Sequence, residues 1–125
     1  MSAIARKNLI AVVDDDELVR GALQRLLKTS GLGAVSFGSA DDLLKSGQLP
    51  DVACLIVDIR MPGMSGLQLQ AKLKAERCRI PIIFITAHGD AKMLTQAMRD
   101  GAVKFLAKPF DNTVLLEAVH AALEN

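Results

Sequence analysis

Five apolar runs of strand length, Asn8 to Val13, Ala34 to Phe37, Val52 to Val57, Ile82 to Ile85 and Val103 to Leu106, alternate along the chain with segments long enough to form helices. The first, third and fourth runs are apolar almost throughout rather than at every second position, so a strand made from any of them must be covered on both faces. Parallel strands joined by helical crossovers meet that demand, and right-handed crossovers distribute the helices to both sides of the sheet. The expected architecture is therefore α/β: a doubly wound, five-stranded parallel sheet in the order 2-1-3-4-5 with helices on both faces.

The intervening segments carry helix signals. Glu17 to Lys28 places Val19, Ala22, Leu23, Leu26 and Leu27 on one face, with Gly31 and Gly33 as the stop. Ser39 is the expected cap of a short helix from Ala40 to Lys45, followed by a turn from Gly47 to Pro50. Ser65 is the expected cap of a third helix with Leu69 and Leu73 inward. The fourth, from Asp90 to Arg99, is expected to bury Leu94, Ala97 and Met98 before Gly101 closes it. Asp111 caps the last, Asn112 to Leu123, whose inward stripe is Leu115, Val119 and Leu123. A chain of 125 residues suits one continuous core, so a single domain over residues 1–125 is expected, with no output domain in this chain.

Composition narrows the function classes. Lys and Arg number 15 against 14 Asp and Glu, and the net charge of +1 leaves no broad basic field for nucleic acid or an anionic membrane. Cys54 and Cys78 lack metal-ligand spacing, and Cys54 lies inside an apolar run, as a buried thiol in a reducing compartment would. Arg6 and Lys7 precede too short an apolar stretch for a secretory signal or a spanning helix, so a cytoplasmic protein is expected.

The polar residues collect where the strands end. The first strand runs into Asp14-Asp15-Asp16, the third into Asp58, the fourth into Thr86 and the fifth into Lys108-Pro109. In an open parallel sheet these points share the carboxyl edge, where a crevice forms between the first and third strands. Carboxylates brought together there repel one another, which raises a pKa or requires a cation. A hard divalent ion such as Mg²⁺ accepts one or two carboxylates and keeps positions for water and a phosphate oxygen. Asp58, held rigidly at the end of a buried strand, is placed to act as a nucleophile, with Lys108 and Thr86 able to contact the oxygens of a transferring phosphoryl group.

Four motifs carry a family resemblance: Val12-Val13-Asp14-Asp15-Asp16, Val57-Asp58-Ile59-Arg60-Met61-Pro62-Gly63-Met64-Ser65-Gly66, Ile85-Thr86-Ala87-His88-Gly89-Asp90 and Phe105-Leu106-Ala107-Lys108-Pro109-Phe110. Together they resemble the receiver domains of bacterial two-component response regulators, a flavodoxin-like fold, and the second and third are most similar to the FixJ-type branch. The resemblance implies that Asp58 takes a phosphoryl group from a histidine kinase or phosphotransfer protein. Asp15 and Asp58 would bind Mg²⁺, or Mn²⁺ in its place, with the main-chain carbonyl of Arg60, while Asp14 would act mostly through a bound water. Thr86 and Lys108 would contact the phosphoryl group, the Lys108–Pro109 bond would be cis, and Thr86 and Phe105 would move together as the switch. Asp16 has no role in the family pattern and reads as a solvated residue at a helix start.

Arg60 and His88 sit two residues beyond Asp58 and Thr86 and are expected at the crevice mouth, where they would set the lifetime of the phosphoaspartate. His120 reads as a surface residue. The resemblance further implies an output domain or protein partner, and a phosphorylation-dependent homodimer through the fourth-helix and fifth-strand surface, for which Met93, Gln96 and Lys104 are candidate contacts. Recognition of the kinase is assigned to the first helix, at Arg20, Gln24 and Lys28. Such a protein is a signalling switch that assists its own phosphoryl transfer and autodephosphorylation. Three alternatives share parts of the pattern. An aspartyl phosphatase would usually place a second Asp where Arg60 stands. A flavin carrier would have a Gly, Ser and Thr-rich phosphate loop rather than three aspartates. A pseudo-receiver would have lost a site residue.

Overall fold

Strands β1 (Leu9–Val13), β2 (Gly33–Phe37), β3 (Val52–Asp58), β4 (Ile82–Thr86) and β5 (Lys104–Ala107) form one parallel sheet in the order β2-β1-β3-β4-β5, as the sequence pattern predicts. The crossovers are helices α1 (Glu17–Thr29), α2 (Ala40–Lys45), α3 (Gly66–Ala75) and α4 (Ala91–Arg99), and α5 (Asn112–Leu123) follows the last strand. These coordinates come from a computed structural model that describes residues 8–87 and 90–124. His88, and Arg6 and Lys7 near the N-terminus, lie outside the described residues.

Side-chain alternation along the strands explains the continuous apolar runs. On β3, Leu55 and Val57 join one core with Leu43, Leu69, Leu73, Phe84 and Ala97, which is the side of α2, α3 and α4. Cys54 and Ile56 join the other with Leu23, Leu27, Ile83, Ile85, Leu115 and Val119, which is the side of α1 and α5. Leu55, Ile56, Ile83 and Ile85 are completely buried, and each such side chain contributes about 1.5–3 kcal/mol through removal from water. The central strands are thereby fixed from both faces, and so are the residues at their ends.

The helix starts are set by side-chain caps, at Ser39, Ser65 and Asp111 as expected and also at Asp90, which the sequence pattern placed inside the fourth helix. Ser39 accepts from the Asp42 amide, Asp90 from Met93, and Asp111 from Thr113 and Val114. At α3, Ser65 and Gln68 form a reciprocal capping box. Asp16, read from sequence as solvated, is exposed and also caps α1 by accepting from the Leu18 amide at 2.9 Å.

Three expectations are corrected. In α4, Ala97 is buried, but Leu94 and Met98 are 42% and 43% exposed. The inward row is instead Met93 and Ala97, one turn apart, and Leu94 and Met98 stand on the adjacent row. The small Ala97 permits this close seating, and Gln70 of α3 reinforces it by donating to the Ala97 carbonyl at 3.0 Å. The fifth strand begins at Lys104, because Val103 serves as its lead-in, its amide donating to the Ile82 carbonyl at 2.8 Å. Leu49–Asp51 forms a 3-10 turn, an element too short to leave a periodic signal.

At Gly66 the helix comes as close to the sheet as backbone allows. A Cβ there would lie 2.6 Å from the Asp58 carbonyl oxygen and 2.9 Å from the Ile59 Cα, and the Gly66 amide donates to the Ile59 carbonyl at 2.8 Å. Glycine permits this contact because it has no side chain to intrude. The end of β3 is thus clamped directly beneath the start of α3. No helix among the described residues is long and apolar enough to cross a membrane.

Candidate functional site

Asp14 follows β1 directly and is wholly buried, with polar partners on every side. Its amide donates to the Phe37 carbonyl at 3.1 Å, and its own carbonyl accepts from Arg20 Nη1 at 2.7 Å. Its carboxylate accepts from the Asp16 amide at 2.9 Å through Oδ1 and from Lys108 Nζ at 2.8 Å through Oδ2. A buried carboxylate is tolerated under such conditions, with its oxygens hydrogen-bonded and a cation beside it.

Asp58 closes β3 and is 5% exposed, so the strand extends one residue beyond its apolar run. Its Oδ1 accepts from the Arg60 amide at 3.2 Å and its Oδ2 from Lys108 Nζ at 3.2 Å. Lys108 follows β5 and precedes a cis peptide bond to Pro109, as the family resemblance implied. Its amide donates to the Thr86 carbonyl at 2.8 Å, which ties the lysine to the last residue of β4. Thr86 is completely buried and pairs with Ala107, and its strand neighbour Ile85 pairs with Asp58. Four strand ends therefore deliver Asp14, Asp58, Thr86 and Lys108 to one edge of the sheet.

The electrostatics of the site follow from this crowding. Burial raises the Asp58 pKa above the ordinary carboxylate value, and the charge of Asp14 raises it further, while Lys108 and the Arg60 amide oppose the rise without cancelling it. For Lys108, burial by itself lowers the pKa, but hydrogen bonds and charge from Asp14 and Asp58 outweigh burial and the net shift is upward. The lysine is held firmly as an ammonium between two carboxylates.

Carboxylate oxygens of Asp14, Asp15 and Asp58 lie within 4.8 Å of one another. Three carboxylates against the Lys108 ammonium leave two formal negative charges, and all the donors are hard oxygens. That set fits a divalent cation such as Mg²⁺. Asp15 is exposed, and among the described residues its carboxylate makes no hydrogen bond or ion pair, which leaves it available to such an ion.

The remaining sequence-predicted residues divide clearly. Arg60 is exposed beside Asp58, and Phe105 is half-buried against the core on the α4 side. Met93 is also half-buried there, whereas Gln96 and Lys104 are exposed. Of the three α1 candidates, Arg20, Gln24 and Lys28, only Lys28 is exposed. Gln24 is half-buried, donates to the Ala34 carbonyl at 3.4 Å and accepts from Ser36 Oγ at 3.0 Å. Arg20 is also half-buried and reaches the acidic site itself. Sequence reasoning missed that role, although Arg20 stands one turn after the Asp16 cap, a spacing that returns it over the β1 end. His120 is exposed, as read. Cys54 is buried, and burial pushes its thiol pKa up to about 12.

Comparison with known proteins gives a consistent result. Residues 10–120 match the family model described as "Response regulator receiver domain". The chain is 50% identical over 119 residues to Nodulation protein W of Bradyrhizobium diazoefficiens, covering 94% of this chain and 52% of that protein. It is 42% identical over 114 residues to the transcriptional regulatory protein FixJ of Azorhizobium caulinodans, covering 91% and 54% respectively. The chain thus spans about half the length of the curated relatives it matches. A solved structure described as the crystal structure of FixJ-N superposes with a TM-score of 0.85 at 40% identity, covering 97% of each chain.

Proposed function

Since the chain belongs to the response regulator receiver domain family, we propose that it works as a phosphorylation-driven switch in which Asp58 accepts a phosphoryl group from the phosphohistidine of a sensor kinase or phosphotransfer protein. The observation that carries this reading is Lys108 Nζ bridging Asp14 Oδ2 at 2.8 Å and Asp58 Oδ2 at 3.2 Å, beside a third carboxylate. A cation so placed neutralises the nucleophile's surroundings and stands ready for an incoming phosphate oxygen.

In the transfer, a carboxylate oxygen of Asp58 forms a bond to phosphorus as the phosphorus–nitrogen bond of the donor breaks, and the released imidazole takes its proton from solvent. Asp14, Asp15 and Asp58, with the main-chain carbonyl of Arg60, would hold Mg²⁺ or Mn²⁺. When bound, the ion supplies charge neutralisation to the phosphoryl oxygens. Lys108 exchanges its bond to Asp58 for one to a phosphoryl oxygen, and the Thr86 hydroxyl contacts another. Asp58 is pre-positioned by the Gly66 contact and the Arg60 amide, so little reorganisation accompanies reaction.

Movement of Thr86 toward the phosphoryl group would draw Phe105 inward on the neighbouring strand, changing the surface of α4, β5 and α5. An output domain or partner, or a second copy of the chain, would read that change through its different affinity for the two states, with Met93, Gln96 and Lys104 as contacts. Arg60 and His88 would set the lifetime of the phosphoaspartate by screening the attacking water. The switch is assigned to the cytoplasm, where its kinase donor acts.

The test is incubation with Mg²⁺ and a small acyl phosphate, followed by intact mass. Wild type is expected to gain one phosphoryl group and Asp58→Asn none. Equal gain in the two proteins, or none in either, would contradict the assignment.

A further inference from the structure

Asp14 and Asp15 are joined by a single peptide unit, and the direction of that plane decides where each carboxylate departs from the chain. Asp14 is anchored by its buried side chain, but exposed Asp15 makes no side-chain hydrogen bond or ion pair among the described residues. Its position toward the other two carboxylates must come from the backbone.

The oxygen of that peptide unit, the Asp14 carbonyl, accepts from Arg20 Nη1 at 2.7 Å, a short, charge-assisted hydrogen bond. The guanidinium is held in turn against the next loop. A Cβ added to Gly38 would lie 3.4 Å from Nη1 and 3.8 Å from Cζ, in ordinary contact, so the guanidinium packs directly over Gly38. The neighbouring Phe37 carbonyl accepts from the Asp14 amide at 3.1 Å. Arg20 thus ties the carboxyl end of β1 to the loop after β2, and among the described residues it makes no ion pair with the three carboxylates themselves.

We propose that Arg20 is a positioning residue for the cation site, fixing the Asp14–Asp15 peptide plane so that Asp15 faces Asp14 and Asp58. The assignment departs from the expectation that Arg20 recognises the kinase, and it rests on the reading of the three carboxylates as holding a divalent ion. Two opposed effects separate it from simple electrostatics. Loss of a nearby positive charge would tighten cation binding, whereas loss of the tether loosens it.

Calorimetric titration of the full chain with Mg²⁺ alone decides the matter. Arg20→Ala is expected to raise the Kd about tenfold, the scale seen when groups that orient metal ligands are removed. Arg20→Lys keeps the charge and recovers part of the affinity. Gly38→Val keeps Arg20 but adds γ-methyl groups beyond the Cβ that already touches its guanidinium, and is expected to weaken binding in the same direction. In metal-free protein the Asp15 amide resonance is expected to shift in Arg20→Ala and Gly38→Val. Should Arg20→Ala fail to fold, the other two variants carry the same test. Wild-type affinity or tighter binding in Arg20→Ala and Gly38→Val would overturn the proposal alone. Absence of Mg²⁺ binding by wild type would overturn both it and the cation-site reading.

Discussion

Replacing Gly66 by alanine is predicted to destabilise the fold, although the same substitution in an ordinary helix position stabilises. The added methyl would stand 2.6 Å from the Asp58 carbonyl oxygen, 2.9 Å from the Ile59 Cα and 3.1 Å from Phe84 Cε1. Two of these atoms are backbone and the third belongs to a fully buried ring, so none can swing aside. The start of α3 must lift from the end of β3 by several tenths of an ångström. Overpacking of this kind costs about 1–3 kcal/mol, offset by up to ~1 kcal/mol from better helix propensity. The net loss is about 1–2 kcal/mol, or roughly 4–10 °C in Tm for a domain of this length. Gly21, inside α1, provides the control. A methyl there meets only the flexible tip of Arg25 at 3.4 Å, and Gly21→Ala is expected to gain about 0.5–1 kcal/mol. Urea and thermal unfolding followed by circular dichroism would measure both. Shifts of the same sign in the two variants would refute the reasoning from close approach. Because the strain falls on Asp58, Gly66→Ala should also slow phosphorylation by a small donor under conditions where the variant is folded.

Other outcomes follow from the charges. Lys108→Met leaves the Asp14 and Asp58 carboxylates without their shared cation and should cost about 2–3 kcal/mol near neutral pH, a loss that added Mg²⁺ partly restores. In wild type the contribution of Lys108 is complete below its ordinary value of 10.5 and is lost as pH rises through its higher folded value, so unfolding measured across alkaline pH should show a decline there. Asp58 has the opposite charge with a shift of the same sign. Its raised pKa gives stability that is present below the ordinary value of 3.8 and lost as pH rises through the folded value, so Asp58→Asn should raise Tm by a few degrees at neutral pH. Thiol titration of the native protein with a maleimide at pH 8 should label half-buried Cys78 and spare Cys54, and both should react after denaturation.

Much of this architecture was legible in the sequence because the sheet is parallel and covered on both faces. Uninterrupted runs such as Val52 to Val57 have few other folded destinations. The helix caps were legible for a local reason, since Ser39, Ser65 and Asp111 act within a few residues of themselves. Less was legible where a choice depended on distant partners. Leu94 and Met98 are as apolar as any core residue, and only the seating of Ala97 against α3 and β5 decides that their row faces outward. The strand ends carried Asp14, Asp58, Thr86 and Lys108 to one edge as topology requires, but that Lys108 bridges Asp14 and Asp58 depends on side-chain reach. Arg20 was the least legible, because a basic residue on an amphipathic helix ordinarily faces solvent, and its acceptor is a backbone carbonyl that no sequence pattern marks.

The measurement closest to the central claim locates the modified residue. After incubation with Mg²⁺ and a small acyl phosphate, borohydride reduction converts a phosphorylated aspartate to homoserine, and peptide mass spectrometry identifies where. The account predicts homoserine at position 58 and at no other aspartate, with Asp14 and Asp15 recovered intact. Homoserine at Asp14, Asp15 or Asp16, or no acyl phosphate at all in a protein that binds Mg²⁺, would contradict it.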